Sequence, residues 1–209
     1  MRRFAFPLVI FGFFAVSLGL VILAFTFYPV FLTEIQYRFR KPKTDVLVNT
    51  VGQNDSLSGE VIHPVDEDFG IVIPKIGANS RVIANVDPQN PKEYQLALTK
   101  GVAHAEGTVF PGEAGNVFIF SHSSANFYEA ARYNSIFYLL SKMEKDDEID
   151  LFYKKEKFKY RVTDKKIVNP KAVSYLSPQG FQKTVTLMTC WPAGTTLKRL
   201  VVVGEIAID

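Results

Sequence analysis

The sequence predicts a mostly β domain, a barrel or sandwich of about eight short strands, behind one N-terminal transmembrane helix. Runs of β-branched and aromatic residues recur between turn signals from Phe69 onward. Helix signals are few, and the clearest one is at Asn90. An apolar run without a charged side chain occupies residues 4–33. Three segments follow from this pattern: an N-terminal tip and anchor over residues 1–33, a linker over 34–68, and a β domain over 69–209.

The uncharged run over residues 4–33 is long enough to cross a bilayer with some tilt. A secretory signal peptide has a shorter apolar core and a small-residue cleavage site, and no convincing site of that kind is present. We therefore predict an uncleaved anchor. Its orientation does not follow from charge, because Arg2 and Arg3 are balanced by four basic residues soon after the span. These are Arg38, Arg40, Lys41 and Lys43.

The composition of the chain excludes several functions. The net charge is +3 with lysine and glutamate interspersed, so no dense basic stripe marks a nucleic-acid-binding surface. The single cysteine, Cys190, excludes an internal disulfide. The three histidines are dispersed and match no zinc-ligand spacing. Residues 34–68 carry many turn formers and few large apolar groups, which predicts a polar stalk with His63 on its surface.

Eight runs in the β domain have strand character. In chain order they cover residues 69–76, 81–86, 116–120, 148–153, 157–163, 167–168, 184–190 and 197–208. A helix should begin at Asn90, with Pro91 at its first position and Glu93 three residues after the cap, and reach Thr99. Residues 125–143 have helical character in pieces, and residues 174–180 predict a turn or a single helical turn. Run 116–120 is strongly apolar, which predicts a central strand.

Cys190 and Arg199 form a candidate reactive pair. Cys190 stands where one predicted strand ends, and Arg199 lies near the start of the strand that returns from it. Neighbouring antiparallel strands are about 4.8 Å apart, so the Cys190 thiol and the Arg199 guanidinium could contact the same reacting atom of a substrate. The alternative is that a lone cysteine packs as a small hydrophobe, which is its commonest role. Arg199 could likewise form an ordinary ion pair, with Glu205 on the same face.

A reactive cysteine needs a group that exchanges its proton, and two histidines are candidates. His122 follows the apolar run 116–120, so it leaves a buried strand at its end as Cys190 does. His104 lies in the run Val102-Ala103-His104-Ala105, after the predicted helix end at Gly101. This run is a less definite strand than the run 116–120, so His104 is the weaker candidate. Arg199 keeps its proton in practice, so it is a poor base but a good electrostatic stabiliser.

The segment Thr186-Leu187-Met188-Thr189-Cys190 resembles the Thr-Leu-x-Thr-Cys signature of the sortases, membrane-anchored cysteine transpeptidases of the bacterial cell envelope. The similarity continues through Pro192, Gly194 and residues 199–202. Upstream it includes Thr108, Pro111-Gly112 and Gly115-Asn116, and it covers roughly residues 69–209. The resemblance implies a sortase-like closed β-barrel with a few short helices.

The same resemblance implies roles for individual residues. Cys190 would be the nucleophile, His122 the general acid and base, and Arg199 the stabiliser of the oxyanion and substrate. Residues at substrate-binding positions would be Thr189, Thr186 and Ser121. Ser121 departs from the glycine or alanine that many sortases have before the histidine, and its side chain is small enough to be tolerated. His104 matches a family position that is not catalytic.

No metal is required by this chemistry. Some sortases bind calcium in an acidic loop, and four acidic residues form a candidate patch here. They are Glu144, Asp146, Asp147 and Glu148. A solvated turn is the favoured interpretation of this patch.

The implied activity is cleavage of a Leu-Pro-x-Thr-Gly-like sorting signal between Thr and Gly, followed by transfer of the acyl group to an amine. The partners would be surface proteins bearing that signal and an acceptor such as a peptidoglycan precursor or another protein. The enzyme would be a single-pass membrane protein with its N-terminus cytoplasmic and its catalytic domain outside. No apolar tail precedes Asp209, so a pilin-polymerising subtype is not expected. The alternatives are a thiol hydrolase or protease using the same Cys-His-Arg site, and a catalytically silent, membrane-tethered binding domain.

Overall fold

The computed structural model describes residues 11–24, 28, 35, 62–123, 136–171 and 182–207. The chain divides into two compact units, Met1–Lys41 and Pro42–Asp209. In the first unit, residues 11–24 are helical and exposed. No helix among the described residues is both long enough and apolar enough to cross a membrane. Much of the predicted anchor and stalk lies outside the described residues, so both stay predictions.

The second unit contains a closed eight-stranded barrel, as predicted. Its strands pair in the order β1-β2-β3-β4-β7-β8-β6-β5. Their bounds are β1 Phe69–Ile73, β2 Ala78–Val86, β3 Val102–Ala105, β4 Gly115–Phe120, β5 Glu148–Tyr153, β6 Glu156–Val168, β7 Lys183–Trp191 and β8 Lys198–Ile206. In the described part of this unit, an α-helix, α1, spans Pro91–Leu98, and 3₁₀ helices span Pro74–Ile76 and Tyr138–Lys142.

Several predicted elements differ in detail from the observed ones. Strand β1 stops at Ile73 because Pro74 opens a 3₁₀ helix there. Strand β3 was not predicted. The runs 157–163 and 167–168 are one strand, β6, which continues past an irregularity between Val162 and Asp164. Helix α1 begins as predicted, with the Asn90 side chain accepting from the Glu93 N–H. The helical segment predicted from 125 is described only from residue 136, and the turn over 174–180 lies outside the described residues.

Strand β4 is buried on both faces, which explains its continuous apolar run. Val117 and Ile119 point into the barrel and join its core with Leu187 of β7. Phe118 and Phe120 point to the outer face of the wall, the face turned away from that core. There they pack with Ala97, Leu98 and Tyr94 of α1, with Met188 beside them. The helix therefore covers the outer face next to the end of β4.

The segment immediately before β1 is tied to the barrel. The Asn79 side chain accepts from the Val65 N–H at 2.9 Å and donates to the His63 carbonyl oxygen at 2.7 Å. The Asn79 side chain thus satisfies one backbone N–H and one backbone carbonyl of this segment, as a neighbouring strand would do. Ile62 packs against the outer-face residues of β1 and β5. We call residues 62–68 the strap.

One carboxyl group is fully buried in the barrel wall. Asp150 of β5 has 0% relative exposure. Burial raises the pKa of Asp150 to about 7, although Lys157, whose Nζ is 3.1 Å from Oδ2, acts in the opposite direction. Glu148 on the same outer face reinforces the upward shift. Asp150 therefore binds a proton more readily in the folded protein than in the unfolded chain. Its contribution to the free energy of unfolding rises as pH falls below about 7, which opposes the usual loss of stability in acid.

We predict that Gly70→Ala destabilises the protein through the strap. A Cβ at Gly70 would lie 2.0 Å from the Asp66 carbonyl oxygen, so the backbone of the strap must move. The free energy of unfolding in urea should fall by about 2–3 kcal/mol, as in overpacked cores. Gly107→Ala is the control, because it meets nothing within 4 Å and carries only the cost of its φ of +79°, about 1 kcal/mol. Equal losses in the two variants would contradict this account.

Candidate active site

Two adjacent strands bring two of the predicted catalytic residues, Cys190 and Arg199, side by side. Cys190 of β7 is the direct pairing partner of Arg199 of β8. On the other side, β4 runs parallel to β7 with Phe120 opposite Met188. His122 lies two residues beyond that last pair and outside the strand, so its place beside Cys190 stays a prediction. Directly opposed residues point to the same face of a sheet, so the side chains of Cys190 and Arg199 share one face of the wall.

That face is the outer one. Side chains alternate along β7, and Leu187 points into the core while Met188 packs with the cluster under α1. Cys190 is two residues beyond Met188 and therefore faces outward as well. It is half-buried, and it is the only cysteine of the chain. The thiol therefore lies on the face of the wall turned away from the barrel core.

Arg199 is held by carbonyl groups. Its Nη1 donates to the carbonyl oxygens of Thr196 at 3.2 Å and Lys198 at 3.1 Å. A guanidinium has five N–H donors, and in the described part of the chain the other three have no partner. No ion pair with Glu205 forms among the described residues, since Glu205 lies at the far end of β8, opposite Thr184. Within the described residues, Arg199 therefore has no carboxylate partner and has three N–H donors without an acceptor beside Cys190.

His104 lies on the opposite face of the wall from Cys190. Its strand partner is Ile119, which points into the barrel, and its own exposure is 0%. Its Nδ1 accepts from the Asn85 N–H at 3.3 Å, and its Nε2 is 3.1 Å from the Val109 carbonyl oxygen. These bonds fit the neutral tautomer with the proton on Nε2. The ring also stacks on Phe110, at 4.8 Å between centroids. This geometry gives His104 a structural role.

The three predicted substrate-binding residues are buried and hydrogen-bonded. Thr189 Oγ1 donates to the Ser121 carbonyl oxygen at 2.9 Å, and the Ser121 N–H donates to Met188. Thr186 Oγ1 donates to Asn116 Oδ1 at 2.9 Å. The hydroxyl groups of Thr186 and Thr189 therefore bond β7 to β4 and to the residue that follows β4. Their role in substrate binding stays a prediction.

Asn116 is a functional candidate that the sequence pattern left unassigned. Its Oδ1 accepts from the hydroxyl groups of both Thr184 and Thr186, at 3.0 and 2.9 Å, and its exposure is 2%. A polar residue opening an otherwise apolar central strand was the available signal, because burying an amide is costly unless it is bonded. Asn116 helps to fix the alignment of β4 with β7, the strand that carries Cys190.

The acidic patch is engaged with basic side chains. Lys75 Nζ lies 2.6 Å from Glu144 Oε2 and 2.8 Å from Asp147 Oδ2. Glu148 lies near basic residues of β6, including Arg161 at 3.4 Å. No group of three or more candidate metal ligands occurs among the described residues. The expectation that no metal is required stays a prediction.

Comparisons with known proteins match most of the β domain. The Sortase domain model matches residues 71–207. Sortase D of Bacillus subtilis (strain 168) is 26% identical over 136 residues, which cover 64% of this chain and 60% of that protein. The chain therefore spans less than two thirds of the length of this relative.

Solved structures show the same fold. A Clostridium perfringens sortase D5 transpeptidase matches with a TM-score of 0.55 and 24% identity, over 70% of this chain and 82% of that one. Sortase C-1 of Actinomyces oris matches with a TM-score of 0.56 and 27% identity, over 69% and 76%. These similar structures belong to different sortase subtypes, so the subtype stays unassigned.

We predict that His104 makes stability depend on pH. Burial lowers the pKa of His104, so the folded protein disfavours its charged form. This contribution is complete above the unfolded value of about 6.5 and is lost as pH falls through the lowered folded pKa. His104→Gln should cost about 1–3 kcal/mol at neutral pH, since buried bonds are lost.

The measurement is urea unfolding at about pH 7.5 and about pH 5.5, on either side of the ordinary histidine pKa. The wild type should lose more stability on acidification than His104→Gln. Asp150 acts in the opposite direction in both proteins, so its contribution cancels in the difference. Identical pH profiles would refute a neutral buried His104.

We also predict that Thr189→Val costs about 1–3 kcal/mol of unfolding free energy, because the buried Ser121 carbonyl loses its hydroxyl donor. Thr189→Ser keeps that donor and removes one methyl group, at about 0.8 kcal/mol. Urea unfolding of both variants separates the two terms. A serine variant as unstable as the valine variant would show that the hydrogen bond contributes nothing.

Proposed function

Because the chain belongs to the sortase family, we propose that it is a cysteine transpeptidase that uses Cys190, His122 and Arg199. The substrate would carry a Leu-Pro-x-Thr-Gly-like sorting signal, cleaved between Thr and Gly. The observation that carries the proposal is the pairing of Cys190 with Arg199 across β7 and β8. The parallel register of β4 and β7 supports His122 as the third member.

The first half-reaction forms a thioester. The Cys190 thiolate attacks the threonine carbonyl carbon, and the Arg199 N–H groups that have no acceptor among the described residues stabilise the charge on the tetrahedral oxygen. The carbon–nitrogen bond then breaks as His122 donates a proton to the departing glycine amine. The sorting signal is left joined to Cys190 through a carbon–sulfur bond.

The second half-reaction reverses these roles. An acceptor amine attacks the thioester carbon, and His122 takes the proton that the amine loses. The carbon–sulfur bond breaks and Cys190 leaves as a thiolate beside the Arg199 charge. The products are a new amide and free enzyme, so atoms and protons balance without a metal or redox cofactor.

The setting of this reaction is the cell envelope. We propose that residues 1–33 anchor the chain in the membrane with its N-terminus in the cytoplasm and the barrel outside. The acceptor would be an amine of a peptidoglycan precursor or of another protein. A location outside the cytoplasm fits the chemistry, since both proposed reactants are surface components.

Ser121, Thr186 and Thr189 would shape the substrate site through the strands that they hold. The hydrogen bonds described above for these residues all run between β4, or its end, and β7. Loss of these bonds would move the outer face against which the peptide lies. The proposal therefore assigns these residues to the site without requiring a direct bond to the peptide.

We predict that the full chain, purified in detergent, joins a sorting-signal peptide to a short glycine peptide. Cys190→Ala should abolish the product. His122→Ala and Arg199→Ala should lower kcat by about 10²- to 10⁴-fold, as loss of an acid–base group or an oxyanion donor does. Mass spectrometry of the product and of the Cys190 thioester measures both half-reactions.

His63→Ala is the matched control, because the His63 side chain is exposed and its strap lies over β1 and β2. It should keep wild-type rates. Release of free acid without amine incorporation would replace the transpeptidase with a thiol hydrolase. Unchanged product in Cys190→Ala, or no thioester in the wild type, would remove the proposed chemistry altogether.

A further inference from the structure

We infer that Thr195 is a positioning residue for Arg199. The inference rests on the proposed function, since it concerns the group that would stabilise the oxyanion. Thr195 lies in the loop that joins β7 to β8 and does not pair with Cys190. It acts through the backbone that follows it, where Thr196 of the loop and Lys198, the first residue of β8, supply the two carbonyl groups that hold the guanidinium.

Thr195 closes a turn with two bonds to one acceptor. Its N–H and its Oγ1 both donate to the Pro192 carbonyl oxygen, at 3.0 and 2.8 Å. Gly194, just before it, has a φ of +79°, a conformation that glycine adopts without steric cost. Together these features fix the direction in which the chain leaves the turn toward β8.

The residues after this turn hold Arg199. Thr196 directly follows Thr195, and its carbonyl oxygen accepts from Arg199 Nη1 at 3.2 Å. The second acceptor is the Lys198 carbonyl oxygen. Most of the loop is exposed, so packing against the barrel contributes little to its shape. The turn closed by Thr195 is therefore the main local constraint on where the Thr196 carbonyl points.

An arginine side chain has about 2 kcal/mol of rotamer entropy, and an unheld guanidinium would sample many positions. Two carbonyl acceptors restrict it before the substrate arrives. Preorganised donors stabilise a transition state without reorganisation during the reaction. Loss of the Thr195 hydroxyl should therefore lower kcat and leave KM nearly unchanged.

The experiment compares Thr195→Val and Thr195→Ser in the full chain, with a sorting-signal peptide and a glycine peptide as substrates. The valine variant keeps the shape and loses the hydroxyl donor, so we expect kcat to fall about fivefold, the effect of one hydrogen bond. KM should stay within about twofold. The serine variant should restore kcat, because it keeps the donor.

Thr99→Val is the matched control. The Thr99 Oγ1 donates to the carbonyl oxygen three residues earlier, as Thr195 does, but at the end of α1. Its kcat should equal that of the wild type. A fall in Thr99→Val as large as in Thr195→Val, or a serine variant without rescue, would overturn the inference.

A double-mutant cycle tests whether Thr195 acts through Arg199. In an Arg199→Ala background, Thr195→Val should have no further effect on kcat, because the group it positions is gone. An undiminished fivefold loss there would overturn the inference. This arm needs no assumption about the identity of the natural substrate.

A final measurement does not depend on turnover. Phenylglyoxal modification of Arg199, followed by peptide mapping, should be faster in Thr195→Val than in the wild type or Thr99→Val. Equal rates would overturn the inference. If the wild type formed no thioester, the proposed function would fail, and the modification rates would still decide whether Thr195 holds Arg199.

Discussion

The register of β7 against its two neighbours is the constraint on which the site depends. Six consecutive pairs join β4 to β7, and eight join β7 to β8. A slip of one residue on either side would turn every side chain to the other face. Cys190 would then point into the barrel and would no longer share a face with Arg199. Apolar contacts are not directional, so by themselves they discriminate poorly between neighbouring registers. The buried hydrogen bonds of Asn116 and Thr189 are directional, and they favour the observed register of β4 against β7.

The two faces of the wall separate structural side chains from those that we propose to be reactive. On the inner face, His104 has both ring nitrogens bonded and its charge suppressed by burial. On the outer face, Cys190 and Arg199 are half-buried at the ends of their strands. Strand ends combine a rigid scaffold with access from solvent, and function concentrates where these meet. A histidine on the inner face can thus stabilise the fold, while the catalytic role of His122 stays part of the proposed function.

Local pattern predicted the strands that carry the site, and it failed where tertiary contacts decide. The apolar run ending at Phe120 and the run ending at Cys190 are long enough to be recognised. Strand β3 has four residues and includes His104, so it is too short to stand out from the chain around it. Strand β6 was divided because Asp164 and the lysines after it interrupt the apolar pattern. The pairing of β4 with β7 joins residues 68 positions apart, and no local signal specifies such a partner. For the same reason, the sequence motif around Cys190 includes Thr189 but does not reveal that its hydroxyl donates to the Ser121 carbonyl oxygen.

A cation that stabilises a transient negative charge has to be held without being neutralised. Lys75 and Lys157 lie beside carboxylates, so their charge is already compensated. Arg199 is held by two neutral carbonyl oxygens, which restrict its position and leave its charge available. A partner such as Glu205 would have ordered the guanidinium equally well but would have competed with the developing oxyanion. The backbone of the β7–β8 loop avoids that competition, and this makes the shape of the loop part of the electrostatics of the site.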